Sequence, residues 1–307
     1  MSRIKLYRIS QKKTQEVPSS TSELEKSLQE VIENNLDSLL GIRFLRSEYP
    51  TGKTHGGRID TLGIDENGCP VIIEYKRAIK ENVINQGLFY LDWLLDHQAE
   101  FKLLVMDKLG KEAADQIDWS APRLVCVASD FTKYDEHAVK QINRNIDLVR
   151  YRKFGTDLLA LDLVWRTTAD ALGAAAEREK KPSTTKSPKA DDYKLEKIVE
   201  ALDPQMRDLY EALRSFILAL GDDVSQRRLK LYYAYARIKT FASVVVQKKQ
   251  LLVYLHLDPD TVTFEEGFTR DVRKIGHWAT GDLVVTIASR EQLEKAQPMI
   301  VRGYEQA

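Results

Sequence analysis

The sequence predicts an α/β (α+β) protein: a mixed sheet flanked by helices, followed by a small separate α+β domain. Three observations carry this. Segments with apolar residues at three- and four-residue steps alternate with short apolar runs bounded by turn residues, as expected of helices and strands laid around one sheet. The chain is 307 residues long, more than one ordinary domain needs. A composition break runs from Gly173 to Asp192, reading GAAAEREKKPSTTKSPKADD, with no large apolar residue. Such a stretch buries too little surface to offset its ordering entropy, so it reads as a flexible linker over 173–192, joining a block over 1–172 to one over 193–307.

Each element follows from local pattern. Leu24, Leu28, Val31, Ile32, Leu36 and Leu39 place a helix over Ser22–Leu40, and Gly41 stops it. A glycine-rich loop, TGKTHGG (51–57), leads to two strands, Ile59–Ile64 and Val71–Lys76, with DENG as the turn between them. A second helix is predicted over Ile79–Gln98. Strands are expected at Phe101–Met106, Arg123–Ala128, Asp147–Tyr151 and Leu158–Val164, with a helix at Asp135–Ile146. The second block reads as helices Lys194–Leu202 and Met206–Leu220, strands Phe241–Gln247, Leu251–Leu257 and Leu283–Ile287, and a closing helix from Ser289.

Composition narrows the function classes. Lys+Arg and Asp+Glu each number 46, so any affinity for a polyanion must come from a local patch. No run approaches the roughly 20 apolar residues of a membrane helix, and MSRIKLYRIS lacks an apolar signal core. Cys69 and Cys126 are far apart with no C-x-x-C, which fits a reducing cytoplasm. The five histidines are scattered, arguing against a zinc centre.

The chemistry lies in the stretch from Gly57 to Lys76. On a strand Glu74 and Lys76 share a face, while Ile73 and Tyr75 take the other. A three-residue loop, Glu66-Asn67-Gly68, with Gly68 left-handed, pairs Asp65 with Cys69 and sets Asp60 opposite Glu74. Cross-strand Cβ atoms lie about 4.5–5.5 Å apart, so two carboxylates and an ammonium converge. Such carboxylates stay ionised together only with a cation between them, and Mg²⁺ suits, with Mn²⁺ able to substitute.

Asp60 followed by Glu74-x-Lys76 after a hairpin resembles the D…(D/E)-x-K motif of the restriction-endonuclease-like, or PD-(D/E)XK, nuclease superfamily. With the preceding helix and Gln86-x-x-x-Tyr90, it is similar to the branch containing the NucS-type endonucleases. The resemblance covers about 22–170. It implies that Asp60 and Glu74 ligate Mg²⁺, that Lys76 assists the attacking water, and that Glu25 lies nearby on the first helix. Gln86 and Tyr90 would line the site one turn apart. Ile59 stands where the family name suggests proline. The second block looks like a small uncharacterised domain attached to such nucleases, with GHWATGD (276–282) carrying part of that impression.

Blander readings accompany each residue. Glu25 completes a capping box with Ser22, Gln86 suits a buried amide, and Tyr90 a core aromatic with its hydroxyl at the rim. Lys53, Arg58, Arg77 and Lys80 read either as phosphate contacts or as solvated charge. Lys53 does not belong to a P-loop, because Ser47 stands where the first glycine is required. In 226–250, cations interleave with aromatics, the mark of a single-strand binder or of a half-buried sheet with basic exposed positions. The expected function is Mg²⁺-dependent hydrolysis of phosphodiester bonds in nucleic acid, with DNA the expected substrate, RNA left open and no membrane partner. The alternative is a non-catalytic nucleic-acid-binding or interaction protein on the same fold, with a second copy or another protein docking through the C-terminal block.

Overall fold

A computed structural model describes residues 4–20, 25–52, 56–76, 83–169, 194–276 and 279–307. The segment read as a linker lies outside these residues. In chain order the elements are β1 (Leu6–Ser10), β2 (Lys13–Val17), β3 (Ser19–Ser20), α1 (Glu25–Asn34), α2 (Leu36–Leu40), β4 (Ile42–Pro50), β5 (Arg58–Asp65) and β6 (Pro70–Lys76). Then come α3 (Val83–Asp96), α4 (Gln98–Leu109), α5 (Lys111–Asp115), β7 (Arg123–Ala128), α6 (Lys133–Val139), β8 (Asn145–Phe154) and β9 (Leu158–Thr167). The C-terminal part holds α7 (Lys194–Glu200), α8 (Pro204–Leu218), β10 (Ser225–Arg228), β11 (Tyr233–Ala236), β12 (Thr240–Val246), β13 (Leu251–Leu255), β14 (Thr269–Asp271), β15 (Leu283–Ile287) and α9 (Arg290–Glu305).

The first large sheet is mixed, in the order β3-β8-β7-β6-β5-β4, with β9 paired to β8. Strands β6, β7 and β8 run parallel, while β4, β5 and β9 join antiparallel. The parallel centre is almost wholly buried because helices cover both faces. On one face Leu28, Ile32, Leu36 and Leu40 pack on Val71, Ile73, Tyr75 and Val125. On the other, Ile84, Leu91, Leu94, Phe101 and Val105 pack on Leu62, Ile64, Ile72 and Leu124. The C-terminal sheet is antiparallel, β10-β11-β12-β13-β15-β14, with α8 and α9 against one face. Its other face joins Cys69 and Ala121 of the first part in a shared cluster with Leu229, Tyr232, Ala234 and Ala279.

Three expectations need correcting. Phe101–Met106 is not a strand but part of helix α4. Phe101 and Val105 are buried four residues apart while Leu103 and Met106 face outward, which is helical spacing hidden within a continuous apolar run. The first helix breaks at Asn35, and the helix expected over 135–146 ends at Val139, with strand β8 beginning at Asn145. Strand β4 has no counterpart in the sequence reading. A register shift between Phe44 and Arg46 puts buried Ile42 and Leu45 three residues apart, and this bulge erases the two-residue alternation that announces a strand.

Candidate active site

The β5–β6 hairpin frames the site. Gly68 is left-handed (φ 78), its N–H donates to Asp65 O (3.0 Å), and Asp65 N–H donates to Cys69 O (2.9 Å). The ladder runs from Ile64↔Pro70 to Thr61↔Ile73, a register that continues to Asp60 opposite Glu74. There the Asp60 N–H donates to Glu74 Oε1 (3.2 Å) and the Tyr75 N–H to Asp60 Oδ2 (3.0 Å). Lys76, half-buried, follows on the same strand and adds positive charge near Glu74.

Glu74 is 0% exposed, and its Oε2 is buried with no hydrogen-bond partner. Buried polar oxygens nearly always find a partner, and among the described residues this one has none. Burial and the adjacent Asp60 charge push Glu74 up to about 9, with partial relief from the Asp60 amide and Lys76. A cation beside the pair would reverse that cost. Mg²⁺ commonly takes one or two carboxylates, leaving water and substrate oxygens to fill its octahedron, and the two acids fit that demand. Among the described residues no group of three or more His, Cys, Asp or Glu forms a complete metal cage.

The entry to β5 is fixed from α3. Tyr90 Oη accepts the Arg58 N–H (3.1 Å) and the Gln86 amide (3.3 Å). A Cβ on Gly57 would sit 2.5 Å from that hydroxyl, so the ring reaches the strand only because residue 57 is glycine. Gln86 and Tyr90 thus hold backbone two residues from Asp60. Arg58 is exposed and paired with Glu48. Thr51 and Gly57 close the base of the glycine-rich loop through two hydrogen bonds of 3.0 Å. Helix α1 begins at Glu25, but its side chain, like Lys53, Arg77 and Lys80, lies outside the described residues.

Support from α1 was not expected from the sequence. Gln29, buried, donates through Nε2 to Asp60 O (2.9 Å), Ser47 Oγ (3.1 Å) and Glu33 Oε1 (3.0 Å). Glu33 in turn accepts from Thr61, which bonds Tyr75 Oη. The available signal was a polar pair at i and i+4 beside the apolar stripe of Leu28 and Ile32.

The opposite end of the hairpin is gripped by the C-terminal part. Arg227 donates to Asp65 (3.0 Å), the Thr240 N–H to Glu66 (3.1 Å), and Asn67 to Thr240 Oγ1 (3.0 Å). Tyr232 and Thr280 both donate to Asn67 Oδ1 (3.2 Å each). Beneath them Asp147 takes Arg123 (2.8 Å) and a two-pronged contact from Arg166 (2.6 and 2.8 Å).

Fold and site together define a mixed α+β chain with an acidic hairpin, clamped by a second sheet. Residues 195–307 match the family described as a domain of unknown function, DUF5655. The chain is similar to an uncharacterized protein of Haemophilus influenzae, 28% identical over 279 residues that cover 90% of this chain and 91% of that one. Among solved structures it is similar to a repair endonuclease from Pyrococcus abyssi (TM-score 0.28, 20% identity, 41% of this chain and 46% of that one). A complex of EndoMS with double-stranded DNA matches with a TM-score of 0.24, 21% identity and the same shares. The chain thus spans under half the length of those two structures. Among the described residues no helix is long and apolar enough to cross a membrane.

Proposed function

We propose that the protein is a divalent-metal-dependent nuclease that hydrolyses phosphodiester bonds in DNA. One observation carries the reading: a buried carboxylate, Glu74, lies against Asp60, and among the described residues its Oε2 has no hydrogen-bond partner. With both acids ionised, such a pair costs the fold stability unless a cation sits beside it. Asp60 and Glu74 would hold Mg²⁺, or Mn²⁺ in its place. When bound, the ion supplies Lewis-acid stabilisation of a phosphoryl oxygen and a more acidic water.

The chain's own residues do the rest. Lys76, on the Glu74 face, orients the attacking water and offsets charge developing on the phosphate. Tyr90, Gln86 and Gln29 hold the Asp60 strand from both sides of the sheet, keeping the acids in reach of one phosphate. Arg58, with Lys53, Arg77 and Lys80, supplies cations for neighbouring phosphates.

The test is a cleavage panel over single- and double-stranded DNA and RNA with Mg²⁺, Mn²⁺ and chelator. Glu74→Ala and Asp60→Ala are expected to abolish metal-stimulated cleavage while far-UV circular dichroism is retained. Full cleavage by both variants defeats the assignment. Metal-enhanced DNA binding with no product on any substrate would instead favour a non-catalytic binder.

A further inference from the structure

The N-terminal ribbon has no role in the site described above. Strands β1 and β2 form a two-stranded sheet of their own, in register from Leu6↔Val17 to Ser10↔Lys13. Among the described residues neither strand joins any of the four core clusters. A two-stranded hairpin is marginal in water without something to pack on. This one leaves Tyr7 and Ile9, which share a face, at 47 and 75% exposure, and grouped exposed apolar side chains mark an interaction site.

Its charge says what kind. Over 4–20 the chain carries Lys5, Arg8, Lys12 and Lys13 against one acid, Glu16, in a protein whose formal net charge is zero. The pairing places Arg8, Lys13 and Gln15 on one face, and Tyr7, Ile9 and Thr14 on the other. At the tip Gln11 and Lys12 both take positive φ (47 and 66), the two-residue turn that keeps a ribbon tightly twisted and projecting.

Its anchorage says where. Strand β3 pairs Ser19 with Phe154 and Ser20 with Lys153, beyond the row in which Glu74, Cys126 and Leu148 stand side by side on parallel strands. At roughly 3.3 Å per residue, the ribbon springs from the same end of the sheet as the acidic pair, some 20 Å further out. A duplex advances about 3.4 Å per base pair, so one helix lying across that end would meet both. The major groove, about 12 Å wide, admits a two-stranded ribbon.

We infer that the 6–17 ribbon is a grip for duplex DNA. Arg8, Lys12 and Lys13 meet backbone phosphates, and Tyr7 with Ile9 covers the groove wall. The inference rests on the nuclease reading only for the path of the duplex past Asp60 and Glu74.

The test uses full-length protein in chelator, so that binding is read without cleavage. Anisotropy with a duplex of about 30 base pairs is followed over roughly 50–200 mM salt for the parent, for R8E/K12E/K13E, and for the milder R8A/K12A/K13A. Both variants are expected to bind at least about tenfold more weakly, with a salt slope shallower by about 2 to 3, as three lost phosphate contacts demand. Their thermal midpoints should match the parent, because the ribbon lies outside the core. The inference is overturned by unchanged affinity and slope, by a parent that binds no duplex, or by equal losses on single strands. A change of oligomeric state in the variants would equally overturn it, making the ribbon a contact between copies, as would parent binding to anionic vesicles as tight as to duplex. Cleavage that survives Glu74→Ala defeats the nuclease reading and leaves the grip standing. Parent-like binding by the ribbon variants of a cleaving protein defeats the grip alone.

Discussion

Two buried carboxylate clusters sit at opposite ends of one hairpin, and they are compensated in opposite ways. At the turn, Asp65 and Asp147 meet three arginines, Arg123, Arg166 and Arg227, all nearly excluded from water. Burial alone would raise Asp147, but the Arg166 and Arg123 charges outweigh it and hold the acid well below the usual carboxylate range. At the other end, among the described residues, Glu74 meets an amide, a neighbouring acid and a half-buried lysine, and burial with the Asp60 charge pushes it up to about 9. The same side-chain chemistry is thus held ionised where guanidinium groups surround it, and pushed towards its protonated form where a second acid is the nearest neighbour.

The sharpest way to break this contrast is Glu74→Gln. If the site is a metal centre, cleavage falls by a factor of about a thousand or more, the scale lost with a central charge-stabilising group, and single-turnover assays in Mg²⁺ would show it. Next in size is Arg227→Met, which leaves Asp65 buried with less than its share of positive charge. Removing one partner of a buried pair costs about 3–5 kcal/mol, so urea unfolding should show a marked loss. A neutral outcome would mean that Arg123 alone suffices.

The pH dependence runs in a direction set by the sign of the Glu74 shift. Its folded pKa lies above the ordinary carboxyl value, so the folded protein holds a proton that the unfolded chain releases. Stability of the metal-free protein should therefore decline as pH rises from about 4.5 towards about 9. Glu74→Gln should remove much of that decline and raise metal-free stability at pH 8. A parent whose stability is flat across this range contradicts a raised Glu74. For the same reason Mn²⁺ binding at pH 7 should release close to one proton, because ligands bind metal deprotonated. Calorimetry in buffers of different ionisation enthalpy reads this, and no buffer dependence sinks it. The smallest effect belongs to Arg58→Ala. Its pair with Glu48 is exposed, and stability should move by less than about 1 kcal/mol in thermal melts.

Much of the hairpin was legible before any coordinates. DENG followed by Gly68 implies a three-residue loop, and loop length with side-chain alternation dictates which residues face each other. The observed ladder, from Ile64↔Pro70 to Thr61↔Ile73, has that register, and the Asp60 N–H donates to Glu74 just beyond it. The central strand β7 was equally plain, because Leu124–Ala128 is an unbroken apolar run and the strand spans Arg123–Ala128. Legibility failed where periodicity was broken or shared. The bulge in β4 hid a strand, and the run at 101–106 suited either period, so only its neighbours decided that Phe101 and Val105 belong to a helix. Gln29 and the arginines of the turn were invisible because a polar residue in a sequence looks solvated until its burial is known.

The sequence by itself determined the hairpin, the identity of its two acids and lysine, and the alternation that puts them on one face, since these depend on neighbours within twenty residues. Only the tertiary structure decided that Glu74 loses all contact with water while Asp65, a few residues from Asp60, gains an arginine from a segment more than 160 positions away. Desolvation and long-range charge pairing are properties of what packs around a group, and nothing in the local order of residues encodes them.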